Sequence, residues 1–179
     1  VIEIHAGQIT TTDLTISLPP TLNFEPFGGY SKIAAVERHH NTGKIGVAVA
    51  KGYGIRNGAV ASSVSHDSHN IIVIGDNDVD MAIAVNEIIR TQGGYTVVEN
   101  GKVYETLALP IMGLMSDAGF ENVNEALQRM IQKAHQMGVA SKIDPFVTLS
   151  FLALPVIPEL RITPRGICKM TAKGPAILS

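Results

Sequence analysis

The sequence has few aromatic side chains: tryptophan is absent, and there are four tyrosines and five phenylalanines in 179 residues. A protein that binds single-stranded nucleic acid needs several exposed rings on which bases can stack, and such a surface is difficult to build from this composition. The formal net charge is −2 and the basic residues form no run, which disfavours binding to a polyphosphate backbone. We therefore expect no nucleic-acid partner.

The sequence also has little that would suit the membrane or the cell exterior. Its one cysteine, Cys168, cannot form a disulfide within the chain, and this is typical of the reducing cytoplasm. No stretch reaches the roughly 18 consecutive apolar residues of a membrane helix. The opening residues, VIEIHAGQITTTD, do not resemble a signal peptide. We expect a cytoplasmic protein with no membrane partner, and a start without methionine on a predicted strand is compatible with a fragment of a longer protein.

What the chain does contain is enough apolar sequence for a core: 45% of its residues are hydrophobic and 17% are charged. This length fits one domain, or two small domains that share a core. IIVIG (71–75) is a continuous β-branched run, which predicts a central strand that is buried on both faces. Alternating apolar and polar residues predict other strands at 1–9, 13–19, 32–40 and 44–54.

Helix and turn signals follow the IIVIG run along the chain. Asp76, Asn77, Asp78 and Asp80 have the composition of a helix cap, and the apolar spacing predicts a helix that extends to about Arg90. Asn100-Gly101 predicts a hairpin. Residues 122–138 predict an amphipathic helix, and the composition of residues 145–163 predicts a β-rich segment. The predicted fold class is α+β, with mixed or antiparallel sheets and a few packed helices.

A polar segment, SHDSHN (65–70), lies between the apolar runs GAVASSV and IIVIG. A turn needs one or two polar residues, whereas this segment has six in a row. A second polar cluster, ERHH (37–40), follows another predicted strand. If the two strands lie in one sheet, both clusters are at strand ends and can share one edge of the sheet.

Three interpretations of these clusters are open. Histidine and carboxylate side chains are ligands for Zn, Mn or Fe, although the spacing of His66 and His69 is not diagnostic of a metal site. An aspartate such as Asp67 can orient a neighbouring histidine as a general base in hydrolysis. The third interpretation is a polar loop whose side chains bond the local backbone. No G-x-S-x-G motif surrounds the serines, so covalent serine chemistry is not indicated.

Residues 36–117, from VERHHNTGK through SHDSHNIIVIGDNDVD to LALPIMGLMSD, closely resemble the C-terminal region of bacterial adenine deaminases, and LALPVIPELRIT within 151–163 resembles it as well. The resemblance implies hydrolysis of adenine to hypoxanthine and ammonia in purine salvage. It also implies a Mn or Fe ion pair that activates water within a β/α barrel. A barrel of that kind needs about 200 residues or more. We therefore expect residues 1–179 to be a C-terminal domain, with the metal ligands outside this chain.

The resemblance also implies that the SHDSHN segment faces the active site of such a barrel. The candidate catalytic residues are His66, Asp67 and His69. The candidate substrate-binding residues are Ser65, Ser68, Asn70, Glu37, Arg38 and His39. The expected partners are adenine, the enzyme's own barrel and further copies in a homo-oligomer. The alternatives are a stand-alone α+β module that binds a purine or a metal, and an oligomerisation domain without catalysis.

Overall fold

The computed structural model describes residues 1–17, 24 and 27–178. Within them, the chain forms eleven strands and three helices. The strands are β1 (Ile2–Ile4), β2 (Thr11–Asp13), β3 (Tyr30–Val36), β4 (Ile45–Lys51), β5 (Gly58–Ser62), β6 (Ile71–Gly75), β7 (Gly94–Glu99), β8 (Lys102–Ala108), β9 (Leu160–Thr163), β10 (Gly166–Thr171) and β11 (Gly174–Ile177). The helices are α1 (Asp78–Arg90), α2 (Phe120–Gln136) and α3 (Pro145–Leu152).

One large mixed sheet organises the molecule. Its strand order is β2-β1-β4-β3-β6-β5-β7-β8. Strands β1 and β4 are parallel, and the other neighbours are antiparallel. Strands β9, β10 and β11 form a second, antiparallel sheet. The α+β fold class with mixed and antiparallel sheets is therefore confirmed.

Helices cover the large sheet on both faces. Helix α1 contacts β5, β6 and β7 on one face, where alanines such as Ala34, Ala59 and Ala61 leave room for its backbone to approach closely. Helices α2 and α3 lie with β9 against the other face, and their side chains join the larger apolar cluster. This cover explains why all five residues of β6 are buried, as the IIVIG run predicted.

Local signals also placed the helix and the hairpin that follow β6. The Asp80 amide donates to Oδ1 of Asn77, the N-cap of α1, over 2.8 Å. Asn100 and Gly101 both have positive φ, 50° and 77°, as a type I′ turn requires. The predicted helix at 122–138 corresponds to α2, which begins at Phe120 and ends at Gln136.

The β-rich prediction for 145–163 is wrong over its first half, which forms α3. Asp144 caps this helix, since its Oδ1 accepts hydrogen bonds from the amides of Phe146 and Val147. Pro145 occupies the first turn, where a missing amide proton costs nothing. Most of α3 is buried, so the segment has no polar face and no visible helical period. Only β9 remains of the predicted strands there.

The N-terminal prediction was also displaced. In place of a strand at 13–19, β2 covers Thr11–Asp13, and residues 14–17 form no strand. Residues 18 and 19 of that prediction lie outside the described residues. Among the described residues, none of the helices is both long and apolar enough to cross a membrane.

A buried arginine joins the two ends of the described chain. The Arg161 side chain is completely buried. Its Nη1 donates to Thr11 Oγ1 over 2.9 Å, and its Nη2 donates to the Ile9 carbonyl over 2.6 Å. Burial lowers the pKa of this guanidinium to about 10, so it remains a cation at neutral pH. These bonds hold β2 against β9, about 150 residues further along the chain.

The central position of β6 gives a test of the core. Replacing Ile74, which is 0% exposed, by alanine should lower the free energy of unfolding by about 2–5 kcal/mol, because a cavity remains in a packed interior. The same replacement at Ile89, which is 57% exposed on α1, should change it by about 0.5 kcal/mol or less. Urea unfolding of the chain measures both values. Equal effects at the two positions would contradict this description of the core.

Candidate functional site

The two polar clusters meet where two central strands of the large sheet end, at the end of β3 and the start of β6. Strands β3 and β6 are antiparallel neighbours. Val36, at the end of β3, lies opposite Ile71, at the start of β6. The 37–40 segment therefore leaves the sheet beside the point where the 65–70 loop enters it. Sequence spacing alone could not establish this proximity, because it depends on the pairing of β3 with β6.

Backbone and side-chain hydrogen bonds clamp the 65–70 loop to the 37–40 segment. The Arg38 amide donates to Oδ1 of Asn70 over 3.1 Å. Its Nη1 donates to the His69 carbonyl over 3.0 Å. The His39 ring donates from Nε2 to the Ser68 carbonyl over 2.6 Å. Two residues that follow β3, Arg38 and His39, thus hold three successive residues of the 65–70 loop. The loop is therefore fixed against the end of β3.

Arg38 also reaches a third segment, which we call the Met112 turn (residues 111–115). Its Nη2 donates to the Met112 carbonyl over 2.7 Å. Ser63, which follows β5, also binds this turn. Its hydroxyl donates to the Gly113 carbonyl over 2.6 Å and accepts from the Gly94 amide over 2.8 Å. Ser63 and this turn were missed as site residues. The available signal was LALPIMGLM itself, an apolar segment between a hairpin and a helix where a polar loop would be usual.

Glu37 is engaged in the turn that follows β3. Its carboxylate accepts hydrogen bonds from the amides of His39, His40 and Thr42, and from the Thr42 hydroxyl, over 2.6–3.1 Å. The bond from the Thr42 amide, with help from the other donors, lowers the pKa of Glu37 to about 2. A role of this carboxylate in binding substrate stays a prediction, and its visible contacts fix the turn.

Within the 65–70 loop, His69 is held as a neutral ring. Its amide donates to the Ser65 carbonyl over 2.6 Å, and its Nδ1 accepts from the Ser65 amide over 3.4 Å. Partial burial lowers the pKa of His69, and the nearby His66 lowers it further. Because Nδ1 is the acceptor, the ring proton is on Nε2. His69 can therefore donate one hydrogen bond from Nε2.

His66 and Asp67 form the solvent-facing part of the loop. Their side chains are 40% and 85% exposed, and His66 Nδ1 lies 3.5 Å from Asp67 Oδ1. The His66 ring packs on Phe151 of α3, with 5.1 Å between the ring centroids. Its amide donates to the Ser150 carbonyl over 3.2 Å. The contact between His66 Nδ1 and Asp67 Oδ1 can orient the His66 imidazole for proton transfer.

The remaining candidates differ in exposure. Ser68 is exposed, whereas Asn70 is buried and Ser65 is 1% exposed. Among the described residues, no hydrogen-bond partner is found for the Ser65 hydroxyl. Of the nine predicted site residues, the structure thus brings the loop and the 37–40 segment together. It leaves His66, Asp67 and Ser68 as the loop side chains most open to a ligand.

The side chains of the 37–40 segment and the 65–70 loop do not form a ligand set for a resident metal ion. No group of three His, Cys, Asp or Glu side chains in the described part of the chain is arranged to hold one. The Mn or Fe pair that the family resemblance implies therefore has no ligand set among these residues.

Comparison with known proteins gives a consistent result. The family described as "Adenine deaminase C-terminal domain" matches residues 8–173. An adenine deaminase of Desulfitobacterium hafniense (strain Y51) is 50% identical over 167 residues, which are 93% of this chain and 29% of that protein. An adenine deaminase of Bacillus subtilis (strain 168) is 43% identical over 169 residues, again 93% of this chain and 29% of the relative. The chain thus spans under a third of the length of these curated relatives.

The Arg38 contacts predict which segments depend on this side chain. Arg38→Ala removes charge-assisted bonds to two carbonyls, which are worth about 1.5–3 kcal/mol each. Amide hydrogen exchange at His69 and Met115 should become roughly tenfold to a hundredfold faster. Arg90→Ala, which removes a surface pair with Glu87, should leave both rates unchanged. Unchanged exchange in Arg38→Ala would show that the clamp does not hold the loop.

The lowered pKa of His69 predicts a pH dependence of stability. The folded state binds a proton at His69 less readily than the unfolded state, so this contribution is present above the unfolded pKa of about 6.5. It is lost as the pH falls through the lower folded value. His69→Asn, which keeps a residue suited to the positive φ of 48°, should reduce the loss of stability between about pH 7.5 and about pH 5.5. Urea unfolding across this range measures it, with His135→Asn as the control, and equal pH profiles for wild type and His69→Asn would refute the assignment.

Proposed function

The chain belongs to the adenine deaminase C-terminal domain family, and we propose that it is the C-terminal domain of an enzyme that hydrolyses adenine to hypoxanthine and ammonia. In this reaction water adds to the purine carbon that carries the amine, a C–O bond forms, and the C–N bond breaks. The amine takes up a proton and leaves as ammonia. The proposal rests on family membership and on the 43–50% identity to proteins named adenine deaminase.

We further propose that the domain packs on the enzyme's catalytic barrel and presents the 65–70 loop towards the active site. The observation that carries this proposal is the clamp from Arg38 and His39 to the carbonyls of Ser68 and His69. A simple connecting turn closes with its own hydrogen bonds. Here a second segment fixes the loop in addition to the loop's own bond from the His69 amide to the Ser65 carbonyl, while the His66 and Asp67 side chains stay accessible. Such preorganisation is useful where side chains must meet a reacting molecule in a fixed geometry.

Each predicted residue then has a proposed task. His66 exchanges a proton with the substrate or the departing amine, and Asp67 orients its ring. His69 donates a hydrogen bond from Nε2, since its Nδ1 accepts from the Ser65 amide. Ser68 binds substrate from the exposed side of the loop. The other predicted binding residues act by holding the loop in place: Ser65, Asn70, Glu37, Arg38 and His39.

The metal belongs elsewhere in this proposal. The described residues offer no set of three convergent donors, so we place the Mn or Fe pair on the part of the enzyme beyond these 179 residues. The contribution of this chain is then to orient the substrate and to exclude water around it. We propose a cytoplasmic, homo-oligomeric enzyme of purine salvage.

Replacing the loop histidines tests the proposal in the full-length enzyme. His66→Ala and His69→Ala should each lower kcat/KM for adenine by about tenfold or more, which is about 1.4 kcal/mol or more of barrier. His66→Ala is the more direct variant, because its ring contacts Asp67 and Phe151 at the surface. Ammonia release at several adenine concentrations gives kcat and KM separately.

His135→Ala is the matched control. His135 lies near the end of α2, where its Nδ1 contacts the Val139 carbonyl. The neighbouring Met137 carbonyl accepts from the Arg56 amide, which precedes β5, so this histidine is at the opposite end of the sheet. It should therefore leave kcat/KM unchanged. Wild-type kinetics in both His66→Ala and His69→Ala would rule out a role of the loop in the reaction.

A further inference from the structure

The Met112 turn exposes apolar side chains beside the 65–70 loop. Met112 is 75% exposed, Met115 is 52% exposed and Ile111 is 44% exposed. Phe120, at the start of α2 shortly after the turn, is 78% exposed. Single exposed apolar residues are ordinary on a protein surface. Four within ten residues of sequence form a concentration of the kind that marks interaction sites.

This turn is also held more firmly than an exposed loop needs to be. The Met115 amide donates to the Ile111 carbonyl over 3.2 Å, which closes the turn. Arg38 and Ser63 then bind the carbonyls of Met112 and Gly113. A side chain at Gly93 would collide with the Gly113 backbone, so the turn also packs tightly on the link between α1 and β7. Fixed hydrogen bonds therefore hold the backbone of the turn, while the Met112 side chain stays 75% exposed.

We propose that the Met112 turn is the surface on which the catalytic part of the same enzyme docks, and this rests on the proposed function above. The relatives extend well beyond the matched region, since this chain spans 29% of their length. That remaining part of the enzyme is the occupant that we assign to an exposed apolar surface on this domain. Methionine suits such a surface, because its flexible and polarisable side chain adapts to an apolar partner.

The position of the turn favours this partner over a second copy of the domain. Arg38 binds the Met112 carbonyl and the His69 carbonyl with two nitrogens of one guanidinium. Whatever docks on the Met112 turn therefore lies beside the 65–70 loop, which carries His66 and Asp67. The proposed function requires the catalytic part at that place. Docking on the turn and presentation of the loop become one event, coordinated through Arg38.

Photo-crosslinking in the full-length enzyme tests this contact. A benzophenone amino acid at position 112 should cross-link to polypeptide outside residues 1–179 of the same enzyme, as located by peptide mass spectrometry. The control label is at Val79, which is 66% exposed and lies in the first turn of α1, at the opposite end of the sheet. The yield of such products from position 79 should be lower than that from position 112 by a factor of about ten or more. The proposal would be overturned if position 112 cross-linked only to residues 1–179 of another copy. It would also be overturned if position 112 formed no cross-links at all.

Oxidation of the unmodified enzyme gives a second measurement that requires no variant. Under dilute peroxide, Met112 in the native full-length enzyme should form sulfoxide about tenfold more slowly than in the urea-unfolded enzyme. Met130, which is 0% exposed, provides the reference for a protected methionine. Equal native and unfolded rates at Met112 would overturn the proposal. Neither readout uses activity, so docking can fail while the loop histidines still matter, and the reverse can also be observed.

Discussion

The arrangement of the 65–70 loop and the Met112 turn depends on one guanidinium, that of Arg38. Arg38 follows directly after β3 and its neighbour Glu37, and it binds carbonyls in two loops that are more than 40 residues apart in sequence. Arginine suits this position because its planar group carries five N–H donors in a fixed geometry and never loses its charge at physiological pH. Partial burial lowers its pKa. The candidate site is therefore organised from the sheet outwards, by a side chain that lies two residues after the core strand β3.

The sequence could predict those features that depend on local chemistry. The IIVIG run identified β6, Asn77 was among the residues expected to cap α1, and Asn100-Gly101 marked the β7–β8 turn, because each of these signals acts over a few residues. The SHDSHN and ERHH clusters could be recognised as unusual. Their meeting could be stated only as a condition, since the pairing of Val36 with Ile71 is a long-range property of the sheet.

Other features had no local signature. Helix α3 is buried on several sides, so its apolar residues follow no helical period, and a rich content of β-branched and aromatic residues favoured the wrong structure. The partners of Arg38 are backbone carbonyls, which every residue has, so no residue type could point to them. The Met112 turn was visible in the sequence as LALPIMGLM, but its importance depends on contacts from Ser63 and Arg38. Side chains that bind backbone are thus the part of this site that sequence reasoning could not supply.

Arg161 performs at the other side of the molecule what Arg38 performs at the candidate site, and its position affects the order of folding. Its bonds to Ile9 and Thr11 join the start of β2 and the residues before it to β9, which is synthesised about 150 residues later. On the ribosome, β2 therefore emerges long before β9 exists. Contacts of such high sequence separation form late and slow the search for the native state. Until β9 arrives, the short strand β2 remains an incomplete edge, and exposed edges of that kind are where nascent chains associate with one another.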